Sequence, residues 1–238
     1  MTQSTFGNPT QFEVTSITID GEDVRGIFFS ISLFEDIYRP CVTGNIVFLD
    51  TDGSTDEGSF IEKNDIEFIE PIEFEFKNAS GNVLKFEGVL NGLRNEYVKS
   101  GLKYYTADFT SNAVRENEKN FVVKSFRDTP PETIVAEMVE LVGGQLDSNA
   151  AGKAMQYIGS RRRPLDIVKY VCTHGLSQET EATEKEDSLQ EEAKGSTGFL
   201  CWETVEGFNF ESISDILKGD IGTKHTDYKT ILANSGKS

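Results

Sequence analysis

Asp50, Asp52, Ser54 and Asp56 set oxygen-bearing side chains at alternate positions, the spacing with which a calcium loop begins. Such a loop needs Gly at its sixth position and a bidentate Glu at its twelfth, and this chain has Thr55 and Ile61 there. The run therefore reads as a solvated turn after a strand. Nucleophilic catalysis needs a base beside a Ser or Cys, and the only imidazoles are His174 and His225. His174 falls in the last turn of a predicted helix, where a cation favours the dipole, so a capping role is expected. His225 lies in a tail with little to bury, and neither histidine is flanked by a nucleophile motif. With 40 acidic residues, carboxylate pairs arise by chance and none is singled out for glycoside chemistry. A Walker-type Gly-rich loop and zinc-ligand spacing are both missing from the sequence. No catalytic, cofactor-binding or metal-ligating residue is assigned, no cofactor is expected, and the chain does not read as an enzyme.

Arg161, Arg162 and Arg163 form the one basic cluster of an acidic chain. They have the chemistry to hold phosphate, an acidic partner surface or the acidic stretch that follows. At the start of a helix their charge opposes the dipole, so local pairing is the expectation over ligand binding. Cys41, Cys172 and Cys201 are odd in number and widely separated, which argues against a disulfide framework and fits folding in a reducing cytoplasm.

From Phe12 to about Ser111 apolar and polar residues alternate with period two between turn residues, as strands do when one face is buried. Ile72, Phe74 and Phe76 against Glu73, Glu75 and Lys77 show it best, and predict that Phe74 and Phe76 face a core. Strands are expected at 14–19, 24–34, 43–49, 83–97 and 102–110, with turns at 20–22, 78–81 and 99–101. Many short strands in about a hundred residues predict an antiparallel barrel or sandwich. Residues 112–120 are polar enough for a connecting helix or loop.

A second, α+β domain is expected from Phe121 to Leu217. It begins with a strand over 121–126, followed by a helix that Asp128 or Thr129 caps and that Pro130 and Pro131 enter. Ile134, Val135, Met138, Leu141 and Val142 lie on one helical face, and Gly143 and Gly144 stop it. The helix containing Pro164 is expected to bury Leu165, Val168, Val171 and Cys172 and to end at Gly175. Residues 177–197 have only Leu189 as a large apolar side chain and read as an acidic mobile insertion. The aromatic hairpin 199–210 follows, with Trp202 expected as its largest buried anchor. Residues 218–238 read as a peripheral tail or the start of a further barrel. The domain boundaries expected are thus 1–120, 121–217 and 218–238.

The chain has 238 residues, 37% apolar with 17 Phe, enough for one large packed core or two modest ones. No run approaches the ~20 apolar residues of a membrane-spanning helix, and the N-terminal residues have no signal-peptide pattern. The formal charge is −17, a polyanion that repels nucleic acid. Residues 178–195 hold seven acids and two lysines, a net of −5 that leaves −12 to the rest, so the acidity belongs mainly to folded surface.

Three features together resemble the central baseplate hub proteins of T-even-like contractile-tailed phages and the base of the type VI secretion spike. One is the strand run Thr43, Gly44, Asn45, Ile46, Val47, Phe48 leading to Pro71, Ile72, Glu73, Phe74, Glu75, Phe76. Another is Arg163, Pro164, Leu165, Asp166 continued by Ile167, Val168, Tyr170 and Val171. The last is Phe199, Leu200, Cys201, Trp202, Glu203, Thr204, turning at Val205, Glu206 and Gly207 into Phe208, Asn209, Phe210, then Ser212 and Ile213. The resemblance spans roughly residues 12–217. It implies a tail-tube-like antiparallel β-barrel followed by a small α+β domain, in a structural virion protein that joins the tail tube to the spike. Its implied partners are further copies of itself in a trimeric or hexameric ring, the tail tube protein and the spike protein. No membrane partner is implied, and DNA only passes transiently through the lumen, whose acidic wall would not hold it. The implied place is the virion baseplate, assembled in the host cytoplasm. Hubs of this family usually continue into a second barrel, and this chain stops short of one. The competing reading is a carbohydrate- or calcium-binding β module on a virion or cell surface, centred on Asp50–Asp56.

Overall fold

A computed structural model of the protein describes residues 12–50, 60–78, 81–99, 102–177 and 198–218. Residues 52–56 of the candidate calcium loop, the insertion beyond Ser177, and the tail with His225 lie outside the described residues. The described residues form two compact units, one of residues up to Leu33 with Thr43–Thr110, the other of Phe34–Val42 with Ser111–Lys218.

The first unit holds β1 (Phe12–Ile19), β2 (Glu22–Asp23), β3 (Phe28–Phe34), β4 (Thr43–Asp50), α1 (Phe60–Asn64), β5 (Pro71–Asn78), β6 (Val83–Lys99) and β7 (Leu102–Ser111). Its strands make one seven-stranded, mostly antiparallel sheet in the order β2-β1-β5-β6-β7-β4-β3. The end strands β2 and β3 are joined by residues 24–27 alone, a link of at most about 18 Å at ~3.5 Å per residue. A flat seven-stranded sheet would set its outermost strands about 28 Å apart, at ~4.7 Å per step. The sheet must therefore curl, and it forms a half-barrel, as its period-two pattern predicts.

The concave core is aromatic. Phe74 stacks on Phe86 with centroids 4.8 Å apart, Phe109 packs edge-on at 5.7 Å from Phe74, and Phe48 stacks on Tyr105 at 5.7 Å. Fully burying each such ring is worth about 1.5–3 kcal/mol. Phe74 faces this core as expected, whereas Phe76, nearer the strand end, is only half-buried. Gly44 sits where a Cβ would strike the Phe109 ring and the Ser32 carbonyl, so the close approach of β3, β4 and β7 requires glycine.

The strand expected over 24–34 is broken. Val24 is fully buried and its carbonyl accepts the N–H groups of both Ile27 and Phe28, which makes 24–27 a tight turn. Helix α1 is too short to show a helical period and was not expected.

The second unit comprises α2 (Asn112–Lys119), β8 (Val122–Thr129), α3 (Pro131–Leu141), β9 (Leu146–Ser148), β10 (Met155–Arg162), α4 (Pro164–His174), β11 (Phe199–Thr204), β12 (Gly207–Ser212) and α5 (Ile213–Lys218). Strands β8 and β10 form an antiparallel ribbon, and the hairpin β11–β12 adds β9 in parallel beside β12. Neither helix cap nor anchor is placed quite as the residue types suggest. Pro130, not Asp128 or Thr129, is the N-cap of α3, because β8 runs on to Thr129, whose hydroxyl donates to the Arg127 carbonyl. Val139 is buried and Leu141 faces outward, while Ile134, Val135, Met138 and Val142 are buried as predicted. Gly143, at φ +77°, ends the helix: its N–H reaches the Glu140 carbonyl and that of Gly144 the Val139 carbonyl, the Schellman pattern. In α4, Leu165, Val168 and Val171 are buried with Ile167, but Cys172 is half-buried. In the hairpin Phe199, Cys201, Phe208 and Phe210 are buried and Trp202 is half-buried, so Trp202 is not the anchor. Alternation across the pair explains this, since Cys201 faces Phe210 while Trp202 faces Asn209.

Candidate assembly surface

The run Ile46, Val47, Phe48, Leu49 is apolar on both strand faces, a pattern usual where a strand is covered on both sides. Here one side is covered. Ile46 and Phe48 are buried in the concave core, opposite Ala107 and Tyr105 of β7. Val47 and Leu49 point the other way, opposite Thr106 and Tyr104, and are only half-buried. Around them Tyr97 stacks on Tyr104 at 4.9 Å and Phe29 of β3 meets Tyr104 edge-on at 6.0 Å. Phe29 is 65% exposed and Tyr97 41%. Strands β6, β7, β4 and β3 thus present an outer face rich in aromatic and aliphatic side chains, interrupted by Thr106, Asn45 and the 2.8 Å Arg94–Asp108 ion pair.

The same outer face changes character toward the other end of the sheet. On β5 and β6 it carries Glu73 directly opposite Glu87, and Glu75 opposite Lys85, with which Glu75 makes a 3.0 Å ion pair. Glu75 also accepts the Thr15 hydroxyl, and these partners hold its pKa below the usual range, Lys85 foremost. Like charges directly across a strand pair disfavour one another unless water surrounds them. One half of the face is built for solvent and the other is not.

The two sheet edges differ as well. β2 is two residues long and acidic, a form that discourages pairing with another chain. β3 is seven residues, Phe-Phe-Ser-Ile-Ser-Leu-Phe, with no charge and no proline. Among the described residues no strand pairs with its outer side. An uncharged open edge beside an uncovered apolar face is the arrangement that natural sheets avoid unless something binds there.

In the second unit, Glu203 on β11 is the most constrained ionisable group. Its Oε2 accepts the Ser111 hydroxyl at 2.5 Å and the Val42 N–H at 3.0 Å, and the Ser111 N–H in turn donates to the Val42 carbonyl at 3.0 Å. Glu35 accepts the Val205 N–H at 2.9 Å, so two carboxylates fasten segment 34–42 to the hairpin. Burial raises the Glu203 pKa, against the lowering effect of those two donors. All three cysteines are free and pack in or against this unit's core, where burial pushes the Cys41 and Cys172 thiols up to about 12 and Cys201 higher than usual. The sequence spaces them far apart, and the fold gathers them as apolar fillers.

The arginine cluster is dispersed. Arg161 and Arg162 close β10 and only Arg163 stands at the N-cap of α4, so the three do not share a helix start. Arg163 pairs with Glu118 at 2.5 Å, as the expectation of local pairing has it, and Arg161 lies over the Phe121 ring at 5.3 Å. His174 ends α4 with Nδ1–H donating to the Tyr170 carbonyl at 2.9 Å and its ring stacked on Tyr170 at 4.1 Å. Among the described residues no three His, Cys, Asp or Glu side chains converge as metal ligands, and no helix is long and apolar enough to cross a membrane.

No protein-family model matches the chain, and no curated protein matches it by sequence. Solved structures do. The 43 kDa tail protein of prophage MuSo2 from Shewanella oneidensis superposes with a TM-score of 0.55 at 10% identity, over 83% of this chain and 54% of that one. A tail protein from Neisseria meningitidis gives 0.50 at 10% identity, over 84% and 50%. The E. coli c3393 protein, a component of the type VI secretion system, gives 0.45 at 11% identity, over 85% and 49%. The chain spans about half the length of these proteins, and its fold, a curled antiparallel half-barrel accompanied by a small α+β unit, is the fold of phage tail proteins.

Proposed function

We propose that the protein is a structural virion component, the central baseplate hub that joins tail tube to spike, acting through interfaces and without turnover. The observation that carries this reading is the apolar-rich face of β6, β7, β4 and β3, ending at the uncharged edge of β3, which no described residue covers or pairs. On a tail-protein fold, a neighbouring copy covering that face would make a head-to-tail contact, which closes into a ring when its rotation divides a full turn and runs on as a filament otherwise. The charged half of the face carries Glu73, Glu75 and Glu87 against Lys77 and Lys85, a small acidic excess that suits a lumen wall. Repulsion from such a wall reaches about 8 Å at physiological salt, enough to keep DNA phosphates from settling on it. Tail tube and spike proteins are the partners the reading requires above and below the ring.

Negative-stain imaging of the purified protein, alone and mixed with tube and spike proteins, tests this. Rings with a central hole are expected. A protein that stays monomeric and ignores both partners would remove the hub reading.

A further inference from the structure

The ribbon of the second unit carries a feature that ring formation does not use. Strand β10 is paired with β8 along one edge only, and along its other side an open groove of about 440 Å³ runs between the strand and α4. Tyr157, Ile158 and Arg162 line it from the strand, and Lys169, Tyr170 and His174 from the helix. Tyr157 and Tyr170 meet at 4.6 Å and form an aromatic wall, while Ile158 is 75% exposed beside it. The strand reads Met-Gln-Tyr-Ile-Gly-Ser-Arg-Arg, with no proline and no acid; its register with β8 shifts between Met155 and Tyr157 and between Ser160 and Arg162, so the regular stretch of its edge is Tyr157–Ser160.

The electrostatics of the groove run against those of the chain. Net charge is −17, yet here Arg162 and Lys169 face the opening with Asp166 as the single acid among the lining residues. Some cations of this unit are matched: Lys119 with Glu116 at 2.8 Å, Lys124 with Glu137 at 2.7 Å, and Arg163 with Glu118. Arg162 and Lys169 make no ion pair with a described residue. Two unmatched cations, an unpaired strand edge and an exposed aliphatic side chain along one groove amount to a strand-shaped receptor of positive sign.

We infer that this groove binds an extended acidic segment of another polypeptide, which adds to β10 as a third strand. Main-chain hydrogen bonds along the free edge would supply affinity, and alternate side chains of the segment would supply selectivity. Its carboxylates would meet Arg162 and Lys169, and the apolar side chains alternating with them would cover Ile158 on the opposite face of the ribbon. Nucleic acid has the right sign but no apolar groups at that spacing, and the rest of the surface repels it. The inference concerns the second unit alone and stands whether or not the first unit forms rings.

The experiment uses the full chain and a fluorescein-labelled peptide of alternating Glu and Val, with a Lys–Val peptide and a single-stranded oligonucleotide as comparators, read by anisotropy. Binding of the Glu–Val peptide is expected, weakening with salt and at least tenfold weaker for the Arg162→Glu, Lys169→Glu double variant (about 1.4 kcal/mol). Hydrogen exchange on the complex should show slowed amides within 155–162. Both substitutions are on exposed positions, and an unchanged melting temperature confirms that the variant folds. Absence of Glu–Val binding up to about 1 mM, equal binding by the double variant, or oligonucleotide binding that depends on the same two residues would each overturn the inference. A concentration-dependent dimer lost in the double variant would also overturn it, since the groove would then hold a second copy.

Discussion

Glu203 is a carboxylate placed where a neutral acceptor would serve. It holds Val42 and Ser111 through one oxygen while burial raises its pKa. The folded chain therefore binds this proton more tightly than the unfolded chain does. Stability from the group is complete below the ordinary Glu range and is lost as pH rises through the raised folded value. Glu203→Gln keeps an oxygen acceptor for both donors and removes the titration. Urea unfolding should show the variant equal to or more stable than the parent at neutral pH, with the gap closing below about pH 4. A gap that widens on acidification would contradict the account. Glu203→Ala takes the acceptor from both donors, and should cost about 1–3 kcal/mol at either pH, the penalty of an unmet buried donor.

At the scale of elements, Gly143 shows how a single backbone angle ends a helix. Its φ of +77° lies in the region where an L side chain strains, and no neighbouring atom would obstruct a Cβ. Gly143→Ala should thus cost about 1 kcal/mol through conformation alone, read as a lower urea midpoint with unchanged m-value. Gly44→Ala differs in kind: it drives a methyl into Phe109 and the Ser32 carbonyl, an overpacking that should cost about 1–3 kcal/mol. A Gly44→Ala variant as stable as the parent would mean that the packing of β3 on β4 is looser than described. The stop at Gly143 was legible in the sequence because Gly-Gly follows an apolar helical period. The core strands were legible because Ile72 and Phe74 alternate with acids. Strand β10 was not, since Met-Gln-Tyr-Ile-Gly-Ser-Arg-Arg has no period, and its pairing to β8 is set by tertiary contact. For the same reason Arg161 and Arg162 read as the start of a helix that in fact begins at Pro164. Nor was the assembly surface foreseen as a site. The apolar run at Ile46–Leu49 was its signal, since four such residues in a row leave two on the side away from the core.

For the molecule as a whole, composition and surface point in opposite directions, and the conflict is informative. A chain of net charge −17 should resist self-association, because like-charged copies repel. Yet the outer face of the half-barrel is uneven, with charged side chains, Glu73, Glu75, Lys85 and Glu87, concentrated over β5 and the start of β6, and the rings of Phe29, Tyr97 and Tyr104 gathered toward β3 with Arg94–Asp108 as an ion pair nearby. Such an arrangement lets copies associate through the ring-bearing half while most of the charge stays on the other. If so, assembly depends on apolar cover and not on ion pairs, and salt should promote it by screening the acids. Sedimentation at rising sodium chloride should show the oligomer gaining at the expense of monomer, and Phe29→Glu should shift the equilibrium back. Phe29 is exposed, so its replacement leaves the monomer's core intact and separates a failure to assemble from a failure to fold. An oligomer that dissolves with salt, or that tolerates a carboxylate at position 29, would place the contact on another face.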